Sequence, residues 1–166
     1  MDKQLLKTAQ RGLVITDVAL RDSRTMLGDE FEPKYQALPG EIQLMQRTLR
    51  SETMELNNNG DDRKIFRVFV KLGVRWVREV DDRQQADESE VQAVIEATFL
   101  AEYPMTDAIE QPALDEFAMH NAPWHIWPYW REYVASQSDR LNLPKVTLPM
   151  QCLPTSRDKS GKQTTT

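Results

Sequence analysis

The stretch APWHIWPYWREYVASQSDRLNLPKVTLP, residues Ala122 to Pro149, holds three of the four tryptophans, and its reading decides what the rest of the chain must be. Pro123 and Pro128 lack the backbone N–H that a helix interior uses, so a regular helix is predicted from near Pro128 to about Arg140. Ile126, Trp130, Val134 and Leu141 recur on one side of it, Tyr133 widens the stripe, and Arg131, Glu132, Ser138 and Asp139 fall away from it. Such a helix is suited to cover something flat. Asn142 ends it, Pro144 blocks continuation, and Val146 to Met150 trails off as an extended segment that Pro149 keeps out of a central strand.

The flat partner lies upstream. Lys64 to Val80 carries the clearest period of two, with Phe66, Val68, Val70, Leu72, Val74 and Trp76 on one face and Arg67, Lys71, Arg75 and Glu79 on the other. Phe69 and Val77 interrupt the charges, so the second face is not wholly polar. Val91 to Tyr103 repeats the alternation through Ala93, Ile95, Ala97, Phe99 and Ala101, and predicts a strand antiparallel to the preceding one. Asn57 to Arg63, NNNGDDR, is a turn that closes a hairpin, since Asn and Gly take positive φ cheaply. That favours a strand over a helix for Glu41 to Leu56, where both patterns compete. Leu13 to Arg21 reads as the first strand, with Val14, Val18 and Leu20 on one face. Gly28 to Gly40 is a loop pinned by Phe31 and Tyr35, and Asp81 to Glu90 is an acidic loop.

Met1 to Arg11 is polar apart from Leu5 and Leu6, and a frayed helix or an arm is all it predicts. After Pro104 the pattern turns helical: Pro112 suits a first turn, Leu114, Phe117 and Ala118 make a stripe, and Asn121 to Pro123 stops it. Four antiparallel strands followed by two C-terminal helices make an α+β fold. One domain is expected over residues 1–155, with an apolar-free disordered tail over residues 156–166.

Composition narrows the function. With 166 residues a sizeable core is possible, and the lone Cys152 excludes an intramolecular bridge and suits a reducing compartment. No secretory h-region or long apolar run is present, so a soluble cytoplasmic protein is expected. A net charge of −5 with no basic stripe argues against nucleic acid. No phosphate loop or nucleophile elbow occurs, and paired carboxylates such as Asp81 with Asp82 sit in a polar run. Glu116, His120 and His125 could be offered as metal ligands, but the histidines straddle a helix stop and no further ligand pair joins them. Neither metal, cofactor nor enzymatic activity is expected.

The aromatic stretch also carries a likeness. Ile126, Trp127, Pro128, Tyr129, Arg131, Glu132, Tyr133, Val134, Arg140, Leu143 and Pro144 fall without a gap on a pattern that resembles the C-terminal half of SecB, the protein-export chaperone. Trp130, Gln137 and Leu141 depart from it. The resemblance implies a SecB-like fold, a homotetramer built as a dimer of dimers, and extended unfolded polypeptide as client. It further implies delivery to the motor SecA through an acidic sheet surface whose positions have no residue-by-residue match here. That divergence leaves room for the SecB-like chaperones that protect an aggregation-prone antitoxin.

Three tryptophans within seven residues cannot all point inward, so at least one is expected to be partly exposed. The expected function is ATP-independent binding of unfolded clients in apolar grooves between the sheet, the Pro104 to Asp107 crossover and the final helix. Phe99, Tyr103, Trp127 and Trp130 are the expected groove residues, Tyr129 and Val134 the packed ones, and Met45, Met54, Met105 and Met119 the adaptable contacts. The alternative is a small apolar ligand enclosed between sheet and helix, which a monomer with a single cavity would support.

Overall fold

The structure is a computed structural model that describes residues 1–37, 41–58, 61–78 and 91–148. The alternation is realised as long strands. The chain forms β1 (Asp17–Leu27), β2 (Glu41–Asn58), β3 (Asp61–Val77) and β4 (Val91–Met105), and helices α1 (Lys3–Gly12), α2 (Gln111–His120) and α3 (Ala122–Arg140). All strand pairs are antiparallel, in the order β1-β4-β3-β2. Thus β2, β3 and β4 form a meander and β1 joins beside β4, leaving β1 and β2 as the two edges. The ladder between β2 and β3 runs out to Asn58 opposite Asp61, as the expected hairpin requires. The turn itself, the acidic run 81–90, Cys152 and the tail 156–166 lie outside the described residues.

One face of the sheet is closed by α2 and α3. Phe66, Val68, Val70, Leu72, Val74 and Trp76 of β3 and Ala93, Ile95, Ala97, Phe99, Ala101 and Tyr103 of β4 all belong to one core with Leu114, Phe117, Ile126, Trp130 and Val134. The helical stripe therefore does what its spacing predicts. Burial of that apolar area, at roughly 25 cal/mol per Å², is the main force holding the layers together.

Several boundaries differ from the sequence expectation, each for a physical reason. The first strand starts at Asp17, not Leu13. Val14 is 70% exposed, and only an isolated bridge from Leu13 to Met105 ties the preceding segment to the sheet. A bulge between Leu20 and Asp22 then shifts the alternation, so one parity cannot describe the whole strand. The N-terminal segment is a capped helix: the Asp2 side chain accepts from the Gln4 and Leu5 amides. Ala9 is fully buried and Leu5 and Leu6 pack against the core, which explains how so polar a segment is held. Helix α3 begins at Ala122, immediately after α2, so Pro128 is interior. Trp124 and Pro128 both lie on its exposed side, where water can take the carbonyl that the proline ring leaves unpaired.

Candidate functional site

The four residues expected to line a groove are all in the interlayer core of the chain. Phe99 is 4% exposed, Tyr103 0%, Trp127 3% and Trp130 1%. Phe99 and Trp130 belong to one aromatic group and Tyr103 to another. Tyr133 links the first, with its ring 6.1 Å from Phe99 edge to face and 6.2 Å from Trp130 in a stack. In the second, Tyr103 meets Phe117 edge to face at 4.9 Å, and Phe66 flanks both.

A polar thread runs from the second group to the surface. The Tyr103 hydroxyl lies 2.9 Å from His125 Nδ1, Asn121 Nδ2 is 3.4 Å from His125 Nε2, and Gln10 Nε2 donates to Asn121 Oδ1 at 2.7 Å. With the Asn121 carbonyl occupied by Gln10, its amide faces Nε2, so the neutral imidazole carries its proton on Nδ1. Burial holds the His125 pKa below its ordinary value and raises that of Tyr103 well above the ordinary range. Both groups stay uncharged at neutral pH. His120 pairs instead with Glu116 at 3.4 Å, so the three offered metal ligands do not converge. Among the described residues no group of three His, Cys, Asp or Glu side chains could hold a metal ion. No helix there is long and apolar enough to cross a membrane.

Exposed apolar side chains gather elsewhere. On edge strand β2, Ile42 and Leu44 face the helix side and are 45% and 36% exposed, and Leu49, at the bulge between Thr48 and Arg50, is 46% exposed. Thr48 Oγ1 donates to the Ala118 carbonyl at 3.2 Å, which fixes the end of α2 against this edge. Met119, the next residue, is 45% exposed. Ile42, Leu44, Leu49 and Met119 thereby follow the free margin of an 18-residue strand. Among the described residues its outward backbone groups have no neighbouring strand. An edge of this kind can pair with an extended polypeptide. On α3, Trp124 and Tyr129 are 48% and 49% exposed. Exposure of one of the three clustered indoles follows the sequence argument, but Tyr129 was expected to be packed and is not. Val134 is packed, at 1%.

Of the methionines expected to make adaptable contacts, Met45 and Met119 are exposed, Met105 packs against the core, and Met54 is half-buried. Sequence reasoning missed Ile42, Leu44 and Leu49 because helix and strand patterns compete over Glu41 to Leu56, so no face could be assigned to them. The signal available was the length of β2, an 18-residue strand that runs on past the helices that cover the sheet.

The features assembled here define a class: a four-stranded antiparallel sheet in the order β1-β4-β3-β2, helices on one face, and an open apolar edge. This is the fold of a SecB-like chaperone. The Mycobacterium tuberculosis SecB-like chaperone Rv1957, solved in complex with a ChAD peptide from the Rv1956 HigA1 antitoxin, superposes with a TM-score of 0.59. The match covers 92% of this chain and 100% of that one, at 18% sequence identity. No family model matches the chain, and no curated protein matches it.

Proposed function

We propose that the protein is an ATP-independent holdase that binds unfolded or extended polypeptide along the β2 margin, with no covalent chemistry. The observation that carries this reading is the alignment of Ile42, Leu44, Leu49 and Met119 beside a strand edge without a neighbour. The edge offers main-chain hydrogen bonds to any extended sequence, and the apolar side chains add contacts that tolerate many client residues. Phe99, Tyr103, Trp127 and Trp130 act as the buried floor that holds the helix layer against the sheet. Clients reach these rings only where that layer opens. Trp124 and Tyr129 extend the apolar surface over α3.

The structural neighbour's antitoxin peptide supports a peptide as the ligand class. An antitoxin-type client is favoured over delivery to SecA. On the sheet face away from the helices, Glu52, Glu96 and Glu102 are taken up by Arg50, Arg67 and Lys71, which leaves fewer free carboxylates there for the contact implied with SecA. The β1 edge is left for a second copy, in a cytoplasmic homotetramer built as a dimer of dimers. The test is suppression of aggregation of a chemically unfolded protein, without nucleotide, at substoichiometric chaperone. The triple variant L44S/L49S/M119S is expected to keep its fold and oligomer mass while losing most of that protection. Full protection by the triple variant would sink the reading.

A further inference from the structure

The sheet face away from the helices carries a second surface with its own chemistry. Three of its carboxylates are consumed: Arg67 takes Glu52 at 2.9 Å and Glu102 at 3.0 Å, Arg50 shares Glu52, and Lys71 takes Glu96 at 2.9 Å. Beyond them the balance changes. Arg47 on β2, Arg75 on β3 and Arg24 on β1 form no ion pair among the described residues, although Arg24 stands opposite Glu96, which Lys71 holds, and Glu41 accepts from Gln43 beside Arg75. Arg75 Nε donates instead to neutral Gln43 at 2.7 Å, and Arg24 lies against the Met26 sulfur at 3.3 Å.

Arg75 lines a hollow of about 230 Å³ whose floor includes Gly73, Met45 and Glu96. Gly73 creates it: a Cβ there would stand 3.0 Å from Met45 Cε and 3.3 Å from Glu96 Cγ. The register places Arg47 beside Lys71, Met45 beside Gly73 and Gln43 beside Arg75. Arg47 and Arg75 therefore stand one row to either side of the hollow, about 13 Å apart along the strands at the usual rise per residue.

We propose that this half of the face docks an acidic segment of a partner protein, in extended form, with the pattern acid-x-aliphatic-x-acid. An extended peptide projects residues i, i+2 and i+4 to one side over the same ~13 Å, so two carboxylates meet Arg47 and Arg75 while the aliphatic side chain seats over Gly73. Arg24 supplies a third cation from β1. The apolar seat between the charges and the overall net charge of −5 favour a peptide over a nucleic acid.

The surface is separate from the β2 margin, and its test is separate. The probe is a fluorescein-labelled peptide containing Glu-Thr-Leu-Thr-Glu, followed by anisotropy with the full-length protein. Binding is expected to weaken at least tenfold in R47E/R75E and in a peptide with both Glu replaced by Gln. It should also weaken when salt rises from ~0.05 to ~0.5 M, which shortens the screening length severalfold. The control R140E, on exposed α3, should bind as wild type, and replacing the peptide's Leu by Ser should weaken binding without changing its salt dependence. Equal binding by R47E/R75E and wild type would overturn the proposal, as would stronger binding of a single-stranded oligonucleotide at the same arginines. Loss of client protection in L44S/L49S/M119S with peptide binding intact separates this inference from the holdase reading.

Discussion

The two faces of the sheet use the same alternation to opposite ends. On the helix side every second residue of β3 and β4 is apolar, and α2 and α3 seal that side with aromatic rings. On the other side Phe69 and Leu100 are also buried, at 5% and 2% exposure, yet no helix among the described residues covers them. Long charged side chains cover Phe69 instead: the Arg50 guanidinium lies 3.7 Å from its ring centre, and Arg67 lies 5.4 Å from it. An amphipathic arm can shield an apolar patch with its stem and keep its charge in water. The comparison teaches that burial on one face comes from packed layers and on the other from a removable charged sheath.

The largest effect should come from the sealed face. Trp130→Ala removes an indole that is 1% exposed and stacked on Tyr133, and is expected to cost about 3–5 kcal/mol. Denaturant unfolding at fixed protein concentration checks it, since a partner subunit would make stability depend on concentration. On the sheathed face, Arg67→Ala strands Glu102, leaves Glu52 to Arg50 alone and removes one of the two arginines over Phe69. About 2 kcal/mol is expected, because the arginine side chain is only 17% exposed. A loss as large as that of Trp130→Ala would mean that the two faces do not differ in kind.

Smaller still is the effect of acid on the buried polar thread. Burial lowers the pKa of His125 below its ordinary 6.5, so the unfolded chain binds the proton more readily than the folded one. Stability should then fall as pH drops below about 6.5 and level off once the folded imidazole is also protonated. His125→Gln should flatten that slope while a neutral partner for Tyr103 remains. A slope unchanged in this variant would place the titration elsewhere. The fully exposed Glu55 and Lys64 pair, 2.8 Å apart at the far end of the hairpin, should matter least, and Lys64→Ala should leave the unfolding midpoint unmoved.

How much of this was legible depended on whether a signal was local. The strict alternation from Phe66 to Trp76 and from Ala93 to Tyr103 depends only on the strand period, and it gave both central strands and their inward faces. NNNGDDR gave the hairpin that ordered β2 and β3. The α3 stripe gave the contact side of the last helix. By contrast, α1 owes its place to packing on α2, with Ala9 buried and Gly12 close enough that a Cβ would meet Ile109 Cδ1 at 2.9 Å. No periodicity in its own sequence announces that. Pro128 hid the start of α3 because a proline on the solvent side of a helix is tolerated where one on the packed side is not.

The site was harder to read than the fold. Phe99, Tyr103, Trp127 and Trp130 are large enough to line either a groove or a core, and sequence spacing says which way a ring points but not what closes over it. Trp124 and Tyr129 show the same limit from outside, being aromatic neighbours of buried rings that emerge half-exposed. The open β2 margin results from coverage: helices of 10 and 19 residues arrive after the sheet is complete, α3 lies mainly over β3 and β4, and α2 reaches β2 near Thr48. Length differences between layers, more than any motif, leave Ile42, Leu44 and Leu49 in water.

Amide hydrogen exchange with and without a chemically unfolded client tests the β2 margin most directly. The account predicts that amides from Ile42 to Leu49 gain protection on client binding, while those of β4 do not change. Protection confined to the α3 surface, or none along β2, would contradict it.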